Sequence, residues 1–99
     1  MTTLIVQTGP LDGTIVPIPI GQLIIGRALD CDLKLQDPRV SRHHCVLTFD
    51  GQHLGIRDLG SRSGTLVNNQ PVGLCQSLLQ HGDLFSIAGT VFRVSFDGI

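Results

Sequence analysis

Four of the seven basic residues, Arg27, Arg39, Arg42 and Arg62, fall inside three short segments, residues 26–32, 36–44 and 60–64. The same segments hold Ser41, Ser61, Ser63, His43 and His44. Arginine presents a fixed fork of N–H donors that matches phosphate oxygens, and serine hydroxyls with exposed loop amides add neutral donors. Gathered in loops, these groups suit a binding site for a phosphate monoester. The plain alternative is a scatter of solubilising surface arginines, and spacing alone does not separate the two.

Other chemistries fit less well. Ser41, His44 and a carboxylate such as Asp58 are the ingredients of a nucleophilic triad, but nothing like a Gly-x-Ser-x-Gly elbow surrounds the serine. A metal site from His43, His44, Cys45 and the distant His81 is also disfavoured. Adjacent residues of a strand point to opposite faces, and Cys45 is expected in the core. The sequence therefore predicts no catalytic residue, no metal centre and no cofactor. His53 and His81 lie in polar turn segments and are expected to be solvated. Cys31, Cys45 and Cys75 are an odd count without a CxxC pair, which reads as structural thiols in a reducing cytosol.

The elements that must carry these loops follow from composition. The chain has 99 residues, no Glu, one Lys and two Ala, so the best helix formers are scarce, while Val and Ile total seventeen. Turn signals recur every few residues between short β-branched runs. Strands are expected near Leu4–Thr8, Thr14–Ile18, Gln22–Ile25, Leu33–Leu35, Cys45–Phe49, Leu54–Asp58, Thr65–Val67, Pro71–Val72, Leu84–Ile87 and Val91–Phe96. In the last of these, Phe92, Val94 and Phe96 face the core and Arg93 and Ser95 face water. Asn68-Asn69 and Asp50-Gly51 read as hairpin turns, since Asn and Gly accept positive φ. The expected fold is all-β, two sheets packed face to face in a single domain over residues 1–99.

Charge and hydropathy narrow the function. The net charge is −1 and charged residues make up 15% of the chain, which disfavours nucleic acid as a partner because phosphate backbones demand excess cations. No apolar run approaches the roughly 20 residues of a membrane span, and the first 25 residues lack a secretory signal pattern.

One resemblance runs almost end to end. Gly26-Arg27, Ser41-Arg42-His43-His44, Asp58-Leu59-Gly60-Ser61-Arg62-Ser63-Gly64-Thr65, Val67-Asn68-Asn69 and Gly82-Asp83-Leu84-Phe85-Ser86-Ile87 occur in the order of the motifs of the forkhead-associated (FHA) domain. The resemblance implies a β-sandwich of about eleven short, mostly antiparallel strands that binds phosphothreonine peptides, without catalysis, through loops at one end. It implies that Arg27 and Ser41 contact the phosphate, that Arg42 is a second donor beside it, and that Arg62 faces the phosphothreonine. Ser63 stands where the family has an Asn that fixes the peptide main chain, and Asn69 replaces a hairpin Gly. Gly26, His44, Gly64 and Asn68 are implied as structural support, with His44 bracing the loop that presents Ser41. The expected partner is a phosphothreonine-containing protein or peptide, a Ser/Thr kinase or its substrate, bound by a monomeric cytoplasmic domain acting as a signalling adaptor. A phosphate-independent interaction module on the same fold is the alternative, and Ser63 is the residue that favours it.

Overall fold

The structure, a computed structural model, describes residues 1–96. The last three residues of the expected domain lie outside the described residues. Eleven strands run in chain order: β1 (Thr3–Val6), β2 (Ile15–Pro17), β3 (Gly21–Gly26), β4 (Leu33–Lys34), β5 (Cys45–Phe49), β6 (Leu54–Asp58), β7 (Thr65–Val67), β8 (Gln70–Pro71), β9 (Ser77–Leu79), β10 (Leu84–Ile87) and β11 (Thr90–Ser95). They form a six-stranded sheet, β2-β1-β11-β10-β7-β8, and a five-stranded sheet, β4-β3-β5-β6-β9. Among the described residues there is no helix, as the scarcity of helix formers dictates.

Period-two alternation assigns the inner faces. Leu23, Leu47 and Ile56 align across β3, β5 and β6, and the register places Ile25 beside Cys45 and Cys45 beside Asp58 in the next row. From the other sheet Leu4, Val6, Phe85, Ile87, Phe92 and Val94 complete one buried core. Phe85 and Phe92 are cross-strand partners whose rings stack with centroids 4.8 Å apart. Both prolines within strands, Pro17 and Pro71, occupy edge strands, where a missing N–H leaves no ladder bond unmade.

Two expectations need correction. The strand β9 was not expected, because Ser77-Leu78-Leu79 carries no β-branched residue and only Leu79 is buried. Ser95 is fully buried, although its neighbours alternate as expected, so the outer face of β11 is covered at that end. His81 is exposed, as expected, and its ring is also tethered: Nδ1 accepts from the Phe96 N–H at 3.0 Å, and the ring lies 6.3 Å from that of Phe96. The hairpin turns behave as read, with Asn68 and Asn69 at φ 48° and 67°.

One connection is unusual. β3 and β4 are parallel, pairing Ile25 with Leu33 and Gly26 with Lys34, yet only residues 27–32 join them. Parallel neighbours ordinarily need a crossover of about a dozen residues or more. Here β4 pairs only with the end of β3, so residues 27–32 fold back as an arch over the end of the sheet. Asp32 seals the stretch of β3 that β4 does not reach, its Oδ2 accepting from the Ile24 N–H at 2.8 Å.

Candidate functional site

Residues 27–32, 35–44 and 59–64 connect β3 to β4, β4 to β5, and β6 to β7, and they converge at one end of the sandwich. The first two are laced by main-chain bonds: the Arg27 N–H donates to the Ser41 carbonyl and the Ala28 N–H to the Arg42 carbonyl, both at 3.0 Å. The closeness of this lacing explains Gly26, where a Cβ would collide with the Arg42 carbonyl. The third segment joins through side chains. The Arg62 N–H donates to Ser41 Oγ at 2.9 Å, and Ser63 Oγ donates to the Arg39 carbonyl at 2.9 Å.

His44 sits at the centre of this bracing, fully buried. Its Nδ1 accepts from the Ser41 N–H at 3.1 Å and its Nε2 donates to the Gly64 carbonyl at 2.8 Å. An amide can only donate and a carbonyl can only accept, so the two bonds together fix the neutral tautomer with hydrogen on Nε2. Gly64, at φ 83°, takes a backbone shape that glycine adopts without strain.

Asp58 anchors the third segment from below. Its Oδ1 accepts from Ser61 Oγ at 2.6 Å and Thr65 Oγ1 at 2.8 Å, and its Oδ2 from the Ser61 N–H at 2.7 Å. Burial works against its charge, but these hydrogen bonds outweigh burial and hold the carboxyl below its usual range. The triad reading therefore has no geometry behind it. Both ring nitrogens of His44 are engaged by main chain, leaving none for Ser41 Oγ, and the Asp58 carboxylate serves Ser61 and Thr65.

Around Ser41 stand the exposed side chains of Arg27, Arg42 and Arg62. Among the described residues none of the three has a carboxylate within ion-pair distance; Arg39, by contrast, pairs with Asp37 at 2.7 Å. The Arg27 Nε donates to the Val40 carbonyl at 2.9 Å, which aims the guanidinium and leaves its terminal amines to the outside. Ser41 Oγ accepts the Arg62 N–H, so its own hydroxyl hydrogen remains to be donated outward. Three guanidinium groups without a carboxylate and a directed hydroxyl can hold an anion.

Beside Arg27 and Arg42 lies an open cavity of about 510 Å³, lined also by Ala28, Leu29, Asp30 and His43. His43 Nε2 is 2.9 Å from Asp30 Oδ1, and this hydrogen bond lowers the Asp30 carboxyl from its usual range. The ligand atoms of Asp30, Cys31 and His43 lie within 4.8 Å of one another, a set the sequence reading did not weigh. These groups already serve one another and the main chain: Cys31 Sγ donates to the Arg42 carbonyl at 3.1 Å, and burial pushes its thiol pKa up. Asn68 is not part of the loop cluster in this way. Its bonds run to Asp83 and to the Leu84 N–H, tying the β7–β8 hairpin to β10. A separate open cavity of about 490 Å³, lined by Pro10, Leu11, Lys34, Leu35, Gln36, Asp37 and Thr90, contains none of the loop arginines.

The fold agrees with comparisons to known proteins. The family model for the FHA domain matches residues 23–88, two thirds of the chain and all three site segments. The chain belongs to the FHA domain family. Among curated relatives, it is 37% identical over 86 residues to the FHA domain-containing protein FhaA of Mycobacterium tuberculosis, a match over 87% of this chain and 16% of that one. It is 34% identical over 93 residues to the glycogen accumulation regulator GarA of Mycolicibacterium smegmatis, covering 94% of this chain and 56% of that one. The human proliferation marker protein Ki-67 matches 89% of this chain at 29% identity, over only 3% of its own length. This FHA chain thus spans a fraction of the curated relatives it matches. A solved structure from a study of phosphothreonine-dependent FHA domain interactions superposes with a TM-score of 0.87 at 35% identity, over 96% of this chain and 95% of that one. Among the described residues no helix is long and apolar enough to cross a membrane.

Proposed function

We propose that this FHA domain is a phosphothreonine-dependent peptide-binding module, a signalling adaptor that engages a protein phosphorylated by a Ser/Thr kinase. In this reading Arg27 and Arg42 hold phosphate oxygens, Ser41 donates its hydroxyl, and Arg62 adds charge from the opposite loop. Gly26, His44 and Gly64 keep the three loops in register, and Asn68 supports the adjoining hairpin. One observation carries the reading: Ser41 Oγ is already an acceptor for the Arg62 N–H, so its own hydrogen is free to donate to a ligand, on a rim whose Arg27, Arg42 and Arg62 have no carboxylate within ion-pair distance among the described residues. The relatedness to a structure studied for phosphothreonine-dependent interactions supports the same ligand.

Ser63 modifies the expectation. Its hydroxyl donates to the Arg39 carbonyl, so it braces the rim and its hydrogen is not directed to a peptide main chain. Affinity then rests on the phosphate. Charge-assisted hydrogen bonds contribute about 1.5–3 kcal/mol each, and three or four of them, less the cost of association and of ordering a peptide, give a dissociation constant on the order of micromolar. We assign residues 1–99 as one binding unit within a reducing cytosol, in keeping with three free thiols among the described residues.

Isothermal titration with a pool of singly phosphorylated threonine peptides and the same pool unphosphorylated tests the reading. Binding of the phosphorylated pool alone supports it. Equal binding of both would replace it with a phosphate-independent interaction module, and the Ser63 contact is the feature that favours that second reading.

A further inference from the structure

The two segments laced together at Gly26 also gather three groups of metal-ligating chemistry. Asp30 and Cys31 stand on the arch between β3 and β4, and His43 stands on the segment that carries Ser41. Their carboxylate oxygen, sulfur and ring nitrogen lie within 4.8 Å of one another, and His43 Nε2 is already 2.9 Å from Asp30 Oδ1. Neighbouring donors are committed elsewhere. His44 gives both ring nitrogens to main chain, Asp32 seals the β3 edge, and Cys45 is fully buried, its thiol pushed by that burial up to about 12. Asp30 and His43 are exposed and Cys31 is half-buried, so all three side chains have room to adjust.

A thiolate with an imidazole and a carboxylate is a donor set for zinc and metals close to it, whereas magnesium and calcium take oxygen ligands. Around a tetrahedral zinc ion such donors stand about 3.3–3.6 Å apart, so the set closes with movements of about 1 Å. We propose that Asp30, Cys31 and His43 bind one zinc-class divalent cation, which ties residues 27–32 to residues 35–44 and keeps a fourth coordination position for water. Binding gives up two hydrogen bonds, between Asp30 and His43 and from Cys31 to the Arg42 carbonyl, and releases the thiol proton to solvent. His43 ligates as the neutral imidazole, through Nε2 with its hydrogen on Nδ1. Burial and then the carboxylates of Asp30 and Asp32 push the thiol pKa up; the same carboxylates draw a cation in, and its double charge then holds the thiolate. Arg42 lines the same cavity as Asp30 and His43, and its charge works against the cation. With that opposition and three ligands rather than four, a dissociation constant on the order of micromolar is expected. The site goes beyond the phosphopeptide reading and does not depend on it.

Cobalt(II) titrated into the intact 99-residue chain, under a phosphine reductant, tests the assignment. A cobalt–thiolate bond gives a charge-transfer band in the near ultraviolet, and the chain has no Trp or Tyr to obscure it. One equivalent is expected to raise that band with the visible bands of a four-coordinate ion. Zinc chloride bleaches both, and magnesium at about a hundredfold excess does not. The band persists in Cys75→Ser, which removes the exposed thiol, and is lost in Cys31→Ser, whose hydroxyl can keep the bond to the Arg42 carbonyl. Asp30→Ala and His43→Ala, with circular dichroism matching the parent, each weaken cobalt binding by at least about tenfold. The assignment is overturned by the absence of a charge-transfer band at millimolar cobalt, or by a band that survives Cys31→Ser or vanishes in Cys75→Ser. An affinity indifferent to both Asp30→Ala and His43→Ala would overturn it as well, since the metal would then sit on a thiol alone.

Discussion

The bracing role of His44 can be separated from its mere bulk. In His44→Ala the Ser41 N–H and the Gly64 carbonyl lose their partner together. Each group left without a partner costs about 1–3 kcal/mol, toward the lower end here because both bonds are only part-buried and water can reach them. The emptied space adds roughly 1–2 kcal/mol, because the ring is fully buried. The sum is about 3–5 kcal/mol, a large part of the 5–15 kcal/mol that stabilises a domain of this size. At about 4–8 °C per kcal/mol the thermal midpoint drops by roughly 12 °C or more. The chain contains no Trp or Tyr, so urea unfolding is followed by far-ultraviolet circular dichroism and calorimetry, with a reductant to protect the thiols. Two conservative variants divide the loss. In His44→Asn the side-chain oxygen can accept from Ser41 but nothing reaches Gly64; in His44→Gln the amide nitrogen can donate to Gly64 but Ser41 is left alone. Each should recover about 1 kcal/mol relative to alanine. A loss below about 1 kcal/mol for alanine, or Asn and Gln variants no better than alanine, would refute the argument that two opposed hydrogen bonds hold this rim.

Three further outcomes are expected. Arg27→Ala lowers phosphopeptide affinity by about a hundredfold or more, the loss of two charge-assisted bonds, yet shifts stability by less than about 1 kcal/mol, because the side chain is exposed and its one internal bond is to a carbonyl; titration and a melting curve check both. Ser63→Asn tightens peptide binding by up to about tenfold, since the amide can keep its bond to Arg39 and still offer a second N–H; unchanged affinity in the same titration would show that the main chain of the ligand is read elsewhere. Stability holds from neutral pH to about 5 and declines as pH falls from about 4 towards 2. The reason is that Asp37, bonded by Arg39, and Asp50, bonded by the His53 and Gln52 N–H groups, are each held at about 2, and a carboxyl depressed in the folded state loses its contribution as acid protonates it. Urea midpoints measured against pH should show a shallower acid limb in the Asp37→Asn, Asp50→Asn double variant, and an unchanged limb would place the loss in other groups.

How far the sequence disclosed this molecule varies from element to element. Strands β5, β6, β7 and β10 lie where alternation and β-branched density put them, because those signals are local. β9 escaped because its two leucines and a serine belong equally to a loop, and only their pairing with Leu54, Gly55 and Ile56 of β6 makes it a strand. The three segments that converge were legible as loops, and the charge gathered in them was legible as composition. Their mutual geometry was not: the bonds that join them span 11 to 24 residues, as between Cys31 and Arg42 or Ser63 and Arg39, and hydrophobic periodicity says nothing about them. The inward engagement of Ser63 and the sealing of the β3 edge by Asp32 are of the same kind. Each is a single side chain meeting one main-chain atom that only the folded chain brings near.

The lacing of the three loops to one another has a consequence for how this domain tolerates change. Ser41 is bonded through its carbonyl, its amide and its hydroxyl to three different residues: Arg27 and Arg62 of the two other loops, and His44 at the end of its own. Substitutions at these positions should not add. Ser41→Ala and His44→Ala, which each remove a side-chain bond holding the same rim, are expected to show an interaction energy of about 0.5–3 kcal/mol in a double-mutant cycle. Diversifying the rim one position at a time would then mostly sample broken variants. New ligand preferences should be reached more readily through side chains that stand on the rim without bracing it, of which Leu29 is the clearest.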